Sequence, residues 1–280
     1  MVEINERYAD AGGYRIHYLQ AGESGPPLVL LHGGIIDAAH VSWGELIEPL
    51  AEHYRVFVPD LLGYGESDRP DIAYSTNRHV AVVDSFMSRA GIDEAAVCGV
   101  SMGGGIAIGL ALRRPERVSQ LVPVSSYGLG RELPNGTLTY LLSRTTLPNR
   151  LAIALFAESE RATRTSLETL VADPTSVSSK LVAQVQALAG TPHVGRAYRR
   201  WRRAEVGQAG FRTDYRPRLG ELDAPTLFVH GRGDEVFPAE WSARAADLAG
   251  GDSWLIGNCG HLVPREYPTA FAERLVEFLD

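Results

Sequence analysis

The stretch AVCGVSMGGGIAIGLAL, residues 96–112, constrains this chain more than any other. Its first part, Ala96 to Val100, is short, apolar and bounded by turn residues, as suits a buried strand. Its second part, from Met102 onward, is rich in Gly and Ala, with Ile106, Leu110 and Leu112 spaced for a packed helix. Ser101 stands at the junction, between Gly99 and Gly103. A strand that turns directly into a helix pinches the backbone, and glycines make room for it. The spacing Gly99-x-Ser101-x-Gly103 is that of a nucleophile elbow, which holds a serine hydroxyl above the edge of a sheet.

Strand and helix signals alternate around this unit. A hairpin is predicted within residues 2–20, strands at 27–32, 55–60, 118–126, 225–231 and 253–257, and helices near 43–52, 75–89, 239–249 and 268–279. Such alternation builds an open, mostly parallel sheet with helices on both faces. Between about 127 and 215 the strands stop, and helical patterns appear at 149–159, 177–189 and 193–206. Since alternation then resumes, residues 1–126 and 216–280 read as one α/β core and 127–215 as a helical insertion.

Composition narrows the partners. With 45% hydrophobic and 22% charged residues, the 280-residue chain has the make-up of a soluble globular protein. A net charge of -7 argues against nucleic acid. Lys180 is the only lysine, which is read as compositional bias. The N-terminus lacks an apolar signal core, and LAIALFA (151–157) is far shorter than a membrane span, so a cytoplasmic protein without a membrane partner is expected. Cys98 and Cys259 read as reduced thiols. Neither a glycine-rich nucleotide loop nor a metal-ligand cluster is present, and no cofactor or metal is expected. The expected partner is a small-molecule substrate, and a homodimer is compatible with the chain.

A serine hydroxyl is a poor nucleophile until a base takes its proton, usually a histidine oriented by a buried carboxylate. In open parallel sheets these groups stand in loops after strands. GRGDEVFP, after 225–230, offers Asp234, with Glu235 a weaker choice, and GNCGHLVPRE, after 253–256, offers His261. The order Ser101, Asp234, His261 fits an elbow serine. His32 and His230, at strand ends before glycine, are given structural hydrogen bonds. The glycines of HGG (32–34) free backbone N–H groups for an oxyanion. The hole is assigned to Met102 and Gly34, with Ile35 the alternative to Gly34. Ile35, His40, Trp201 and Leu262 are the candidate substrate-binding residues.

Five pieces in order, LHGG (31–34), PDLLGYGESD (59–68), GVSMGG (99–104), GRGDEVFP (231–238) and GHLVPREYP (260–268), resemble the α/β-hydrolase superfamily. The resemblance covers the chain outside the insertion. It implies the α/β-hydrolase fold, a cap over the site formed by 127–215, and a structural role for Asp60, Gly63, Gly65 and Ser67. Within the cap, Tyr140, Leu141, Leu147, Leu151 and Phe156 are expected mostly in its own core, and the arginines around Trp201 on a solvated helix face. The leading reading is hydrolysis of a carboxylic ester, lactone or thioester through an acyl-enzyme. The alternatives are a carbon–carbon hydrolase of ring-fission diketones, a perhydrolase or haloperoxidase-like enzyme, and a ligand receptor. The carbon–carbon hydrolases usually carry Trp after the histidine and Trp-Ser-Asn after the oxyanion loop, where this chain has Leu262 and Trp43-Gly44-Glu45.

Overall fold

A computed structural model describes residues 2–133 and 136–280. The N-terminal hairpin forms from β1 (Asn5–Ala11) and β2 (Tyr14–Ala21), followed by β3 (Pro27–Leu31). The single helix expected near 43–52 is instead two short ones, α1 (Ala39–Trp43) and α2 (Ile47–Ala51). Gly44 favours helix poorly and Pro49 has no N–H to give, so the chain stops and restarts between them. Next come β4 (Arg55–Pro59), α3 (Thr76–Arg89), β5 (Ala95–Val100), α4 (Met102–Ala111) and β6 (Val118–Val124). Ser75 caps α3 as its sequence suggests, accepting from the Arg78 N–H.

Five helices follow: α5 (Gly136–Arg144), α6 (Leu147–Glu158), α7 (Glu160–Glu168), α8 (Ser179–Ala189) and α9 (Arg196–Glu205). The expected patterns correspond to α6, α8 and α9, and α5 and α7 are additional. A two-residue strand pair, β7 (Val206–Gly207) with β8 (Gly210–Phe211), is too short to leave an alternating pattern. The chain closes with β9 (Leu227–Gly231), α10 (Ala239–Ala249), β10 (Asp252–Ile256), α11 (Val263–Glu266) and α12 (Pro268–Leu279). Among the described residues no helix is long and apolar enough to cross a membrane.

Eight strands join in the order β1-β2-β4-β3-β5-β6-β9-β10, with β2 antiparallel to both of its neighbours and the pairs from β4 to β10 parallel. Side chains alternate between two buried layers. Val29, Leu31, Phe57 and Val97 enter one, and Leu28, Leu30, Val56, Val58 and Cys98 enter the other. After β3 the chain turns to β4 on one side, then returns to β5 on the other. This reversal opens a crevice at the carboxyl ends of β3 and β5. The HGG loop and Ser101 emerge there.

The elbow depends on close backbone packing. Ser101 has φ 55° and ψ -116°, and its N–H donates to the Val124 carbonyl of β6. A Cβ at Gly99 would stand 2.3 Å from the Gly103 carbonyl oxygen. One at Gly103 would stand 2.4 Å and 2.5 Å from the carbonyl oxygens of Leu31 and His32. All ten residues of α4 are buried, so the helix has no exposed side to yield toward. Gly103→Ala is therefore expected to lower unfolding free energy by about 2 kcal/mol, the scale of overpacking. Gly190→Ala, where a Cβ meets nothing nearer than 3.5 Å, should stay within about 0.5 kcal/mol of the parent. Urea unfolding of both checks this.

Candidate active site

A cavity of about 270 Å³ lies over the crevice. Its floor is Gly33, Gly34, Ser101, Met102 and His261, and its far wall comes from the insertion, with Phe156 of α6, Leu181 and Val185 of α8, and Tyr198, Trp201 and Arg202 of α9. Most of the lining is apolar. A second layer of buried side chains, including Ile153, Leu167, Leu181 and Val185, packs the insertion onto Ile36 and Val41 beyond β3.

Ser101 and His261 line this same cavity. His261 Nδ1 is 2.7 Å from Asp234 Oδ2, whose carboxylate side chain is fully buried. Burial opposes ionisation of Asp234, but the charge of His261 and hydrogen bonds from His230 and His261 outweigh it and hold the carboxyl well below the ordinary carboxylate range. The carboxylate therefore only accepts, so Nδ1–H donates and Nε2 is left with its lone pair. Glu235 is exposed and takes no part. Oδ1 of Asp234 accepts from the Val236 and Phe237 N–H groups at 2.7 and 3.1 Å.

His230 completes the shell around this acid. Its Nε2 is 2.9 Å from Asp234 Oδ2 and 3.1 Å from the Phe237 carbonyl oxygen. Both are acceptors, which places the proton on Nε2, while Nδ1 meets Ser242 Oγ at 2.7 Å. The structural hydrogen bond expected of His230 thus falls on the same carboxylate oxygen as His261. The i, i+4 spacing of His230 and Asp234 across the strand end was the available signal. His32 also has structural bonds, accepting from the Leu61 N–H at Nε2 and meeting the Gly33 carbonyl at Nδ1. Asp60 ties its own loop by accepting from Ala39 and Glu66 N–H groups and from His17.

The loop after β3 is held by Asp37, which accepts from the Gly33 N–H and the Ser42 hydroxyl through Oδ2. The N–H groups of Gly34 and Met102 donate in none of the described hydrogen bonds, and Met102, as the first residue of α4, has no intrahelical acceptor. Tyr198 covers Gly34 closely: a Cβ there would stand 3.0 Å from the tyrosine ring. His261 is positioned by its own N–H, which donates to the Leu170 carbonyl of the insertion, and by Glu266, which accepts from the N–H groups of Gly260 and Ala172.

Of the predicted substrate-binding residues, Ile35, Trp201 and Leu262 line the cavity. His40 does not. Its carbonyl accepts from Arg265, a lining residue whose other partner is Glu45 at 3.0 Å. Phe156 lines the cavity and Tyr140 packs on the core, but Leu141, Leu147 and Leu151, expected within the insertion's own core, are exposed. Helical spacing marks one face of a helix without saying which side is covered.

Glu205, at the end of α9, had no sequence signal because its partners are scattered along the chain. This buried carboxylate accepts from the Thr76 N–H and hydroxyl at 2.8 Å each, from Thr213 at 2.7 Å and from the Tyr127 hydroxyl at 3.1 Å. Thr76 in turn accepts from Trp201 Nε1–H, so two cavity walls, Tyr127 and Trp201, are set by one acid. Glu205→Leu would orphan several buried donors and should cost about 3 kcal/mol. Glu205→Gln keeps one oxygen for the Thr76 N–H and should cost roughly 1 kcal/mol. Equal losses in urea unfolding would contradict this network.

The chain matches the alpha/beta hydrolase fold family over residues 26–266. It is 30% identical over 282 residues to a 2-hydroxy-6-oxo-6-(2'-aminophenyl)hexa-2,4-dienoic acid hydrolase of Metapseudomonas resinovorans, covering 98% of this chain and 90% of that one. Among solved structures it is similar to a serine hydrolase involved in carbazole degradation, with a TM-score of 0.83, 28% identity and 99% of each chain covered. It is also similar to the 2-hydroxy-6-oxo-6-phenylhexa-2,4-dienoate hydrolase of Rhodococcus sp. strain RHA1, with a TM-score of 0.83, 27% identity and coverage of 100% and 99%. With its eight-stranded sheet, its serine elbow and these likenesses, the chain is an enzyme that belongs to the alpha/beta hydrolase fold family.

Proposed function

We propose that this protein is a carbon–carbon bond hydrolase of ring-fission diketones, acting with Ser101 as nucleophile, His261 as base and Asp234 as orienter. This reverses the order of the two leading readings of the sequence. Support comes from the relatives, several of which are named as hydrolases of 2-hydroxy-6-oxo-dienoic acids and related semialdehydes. The observation that carries the reading to this chain is the cavity itself. It is mainly apolar, suited to a dienyl chain, and Arg202 lines it while standing in none of the described ion pairs. A guanidinium in that position suits the carboxylate at one end of such an acid.

In the proposed reaction Ser101 Oγ adds to the ketone carbonyl as His261 Nε2 takes the hydroxyl proton. The oxyanion is held by the Gly34 and Met102 N–H groups. Collapse, from the diketo tautomer of the substrate, breaks the bond between that carbonyl carbon and the chain carrying the 2-oxo group and carboxylate. The departing carbanion, delocalised through the adjacent double bond onto the 2-oxo oxygen as a dienolate, takes up the proton from His261. Water activated by His261 then cleaves the acyl-serine, giving a second acid and free Ser101. Asp234 keeps the Nδ1–H tautomer throughout and stabilises the imidazolium. Electrons and protons balance with water as the only co-reactant.

One observation favours ester hydrolysis as the second reading. Leu262, next to His261, lines the cavity where the carbon–carbon hydrolases usually have tryptophan. The chemistry to Ser101 is the same, and only the leaving group differs. Kinetics on a ring-fission diketone and on an ester with the same acyl group separate them. The diketone is expected to have the larger kcat/KM by at least about tenfold, about 1.4 kcal/mol in transition-state binding. Arg202→Met should raise KM for the diketone acid about tenfold and leave its carboxylate methyl ester unaffected. A tenfold preference for the ester would make the second reading the right one.

A further inference from the structure

We infer that α5 and α6 form a surface that docks on an anionic lipid interface. Six leucines on these two helices, Leu138, Leu141, Leu142, Leu147, Leu151 and Leu155, are between 40% and 64% exposed. On α6 they recur at every fourth position, and on α5 at three- and four-residue steps, so each helix presents a continuous apolar stripe. Both helices also face inward, where Thr139 and Phe156 line the cavity. The same two helices are therefore the roof of the site and an outward apolar surface. Isolated exposed leucines are ordinary in soluble proteins, but a regular stripe on each of two successive helices marks a surface that meets something.

Charge selects what it meets. The chain carries -7 overall, yet residues 136–157 contain Arg144 and Arg150 and no Asp, Glu or Lys. Arginines of α5 and α9 tie these helices together: Arg144 donates to the Arg203 and Val206 carbonyls, and Arg199 donates to Asn149 of α6. None of Arg144, Arg150, Arg199 and Arg203 is in a described ion pair, and the first acid after Arg150 is Glu158 at the end of α6. Burial and the neighbouring charges of Arg150, Arg196 and Arg200 lower the Arg199 pKa, while Arg196 and Arg200 themselves pair with Asp71. In a two-fold dimer through this patch Arg144 and Arg150, which have no described ion-pair partner, would meet their own copies, which opposes self-association. An anionic lipid surface supplies both missing halves, an apolar layer for the leucines and negative headgroups for the arginines. The acidic remainder of the protein would be repelled, turning these helices toward the lipid. The expectation of no membrane partner rested on the lack of a spanning run, and helices lying in the interface need none.

The test is co-sedimentation of the full chain with vesicles of phosphatidylglycerol and phosphatidylcholine, against vesicles of phosphatidylcholine alone. Binding is expected on the mixed vesicles, weakened by salt, and at least about tenfold weaker on phosphatidylcholine alone. The triple variant Leu141→Ser/Leu147→Ser/Leu151→Ser should lose at least about tenfold in partitioning. Circular dichroism and thermal melting establish that it is folded. Arg150→Gln/Arg203→Gln, at exposed positions, is an independent arm expected to lower both binding and its salt dependence. No binding to mixed vesicles, equal binding to phosphatidylcholine alone, or undiminished binding of both variants overturns the inference. A concentration-dependent dimer that the leucine variant abolishes, without vesicle binding, overturns it in favour of a second copy.

Discussion

The structure depends on one close approach, that of α4 to the carbonyl ends of β3 at Gly103. Because Gly103 has no side chain, the first turn of the helix lies against the Leu31 and His32 carbonyls. That single contact brings together three things from separate parts of the chain: the serine at the elbow, the Met102 N–H at the start of α4, and the HGG loop. A larger residue would move the helix away and separate Ser101 from the HGG loop. The cost of the elbow's backbone at Ser101 is offset by hydrogen bonds to the strand beyond, with Ser101 N–H donating to Val124 and its carbonyl accepting from Tyr127 and Gly105.

Around this frame, buried acids organise the polar groups. Asp234 takes four hydrogen bonds, two from imidazoles and two from backbone N–H groups, and so is ionised and fixed. Asp37 holds the loop on the opposite side of the serine. Glu205 joins the insertion to the core without any cation, through hydroxyl and amide donors alone. Asp234 and Glu205 are buried, and each would be costly if its donors were removed. The insertion and the core are thus coupled through the same residues that shape the cavity, and His261 itself hangs from an insertion carbonyl at Leu170.

Much of this was legible in the chain because the signals are local. Strands of five to seven apolar residues between turns, the Ser75 cap and the clean amphipathic patterns of α10 and α12 are properties of short windows. The elbow at Ser101 and the meeting of Asp234 with His261 were readable because an open sheet gathers the loops after its strands along one edge. What could not be read involves distance along the chain or the side of a helix. Glu205 finds Thr76 at a separation of 129 residues. Leu141, Leu147 and Leu151 have the spacing of core residues but face outward. His40 lies near the HGG loop in sequence but, as the second residue of α1, is not among the cavity-lining residues. The choice between ester and carbon–carbon cleavage turns on the shape and charge of a cavity lined by residues from Gly33 to Arg265, which no window contains.

The central claim is that Ser101 becomes acylated by the carbonyl fragment of a ring-fission diketone. Rapid-quench mass spectrometry of the intact protein, with peptide mapping after mixing with such a diketone, measures this directly. The account predicts a transient adduct of the acyl fragment's mass on the peptide carrying Ser101, forming no more slowly than turnover and absent from Ser101→Ala. Steady cleavage of the diketone by the Ser101→Ala variant, or an adduct mapped to another residue, would contradict it.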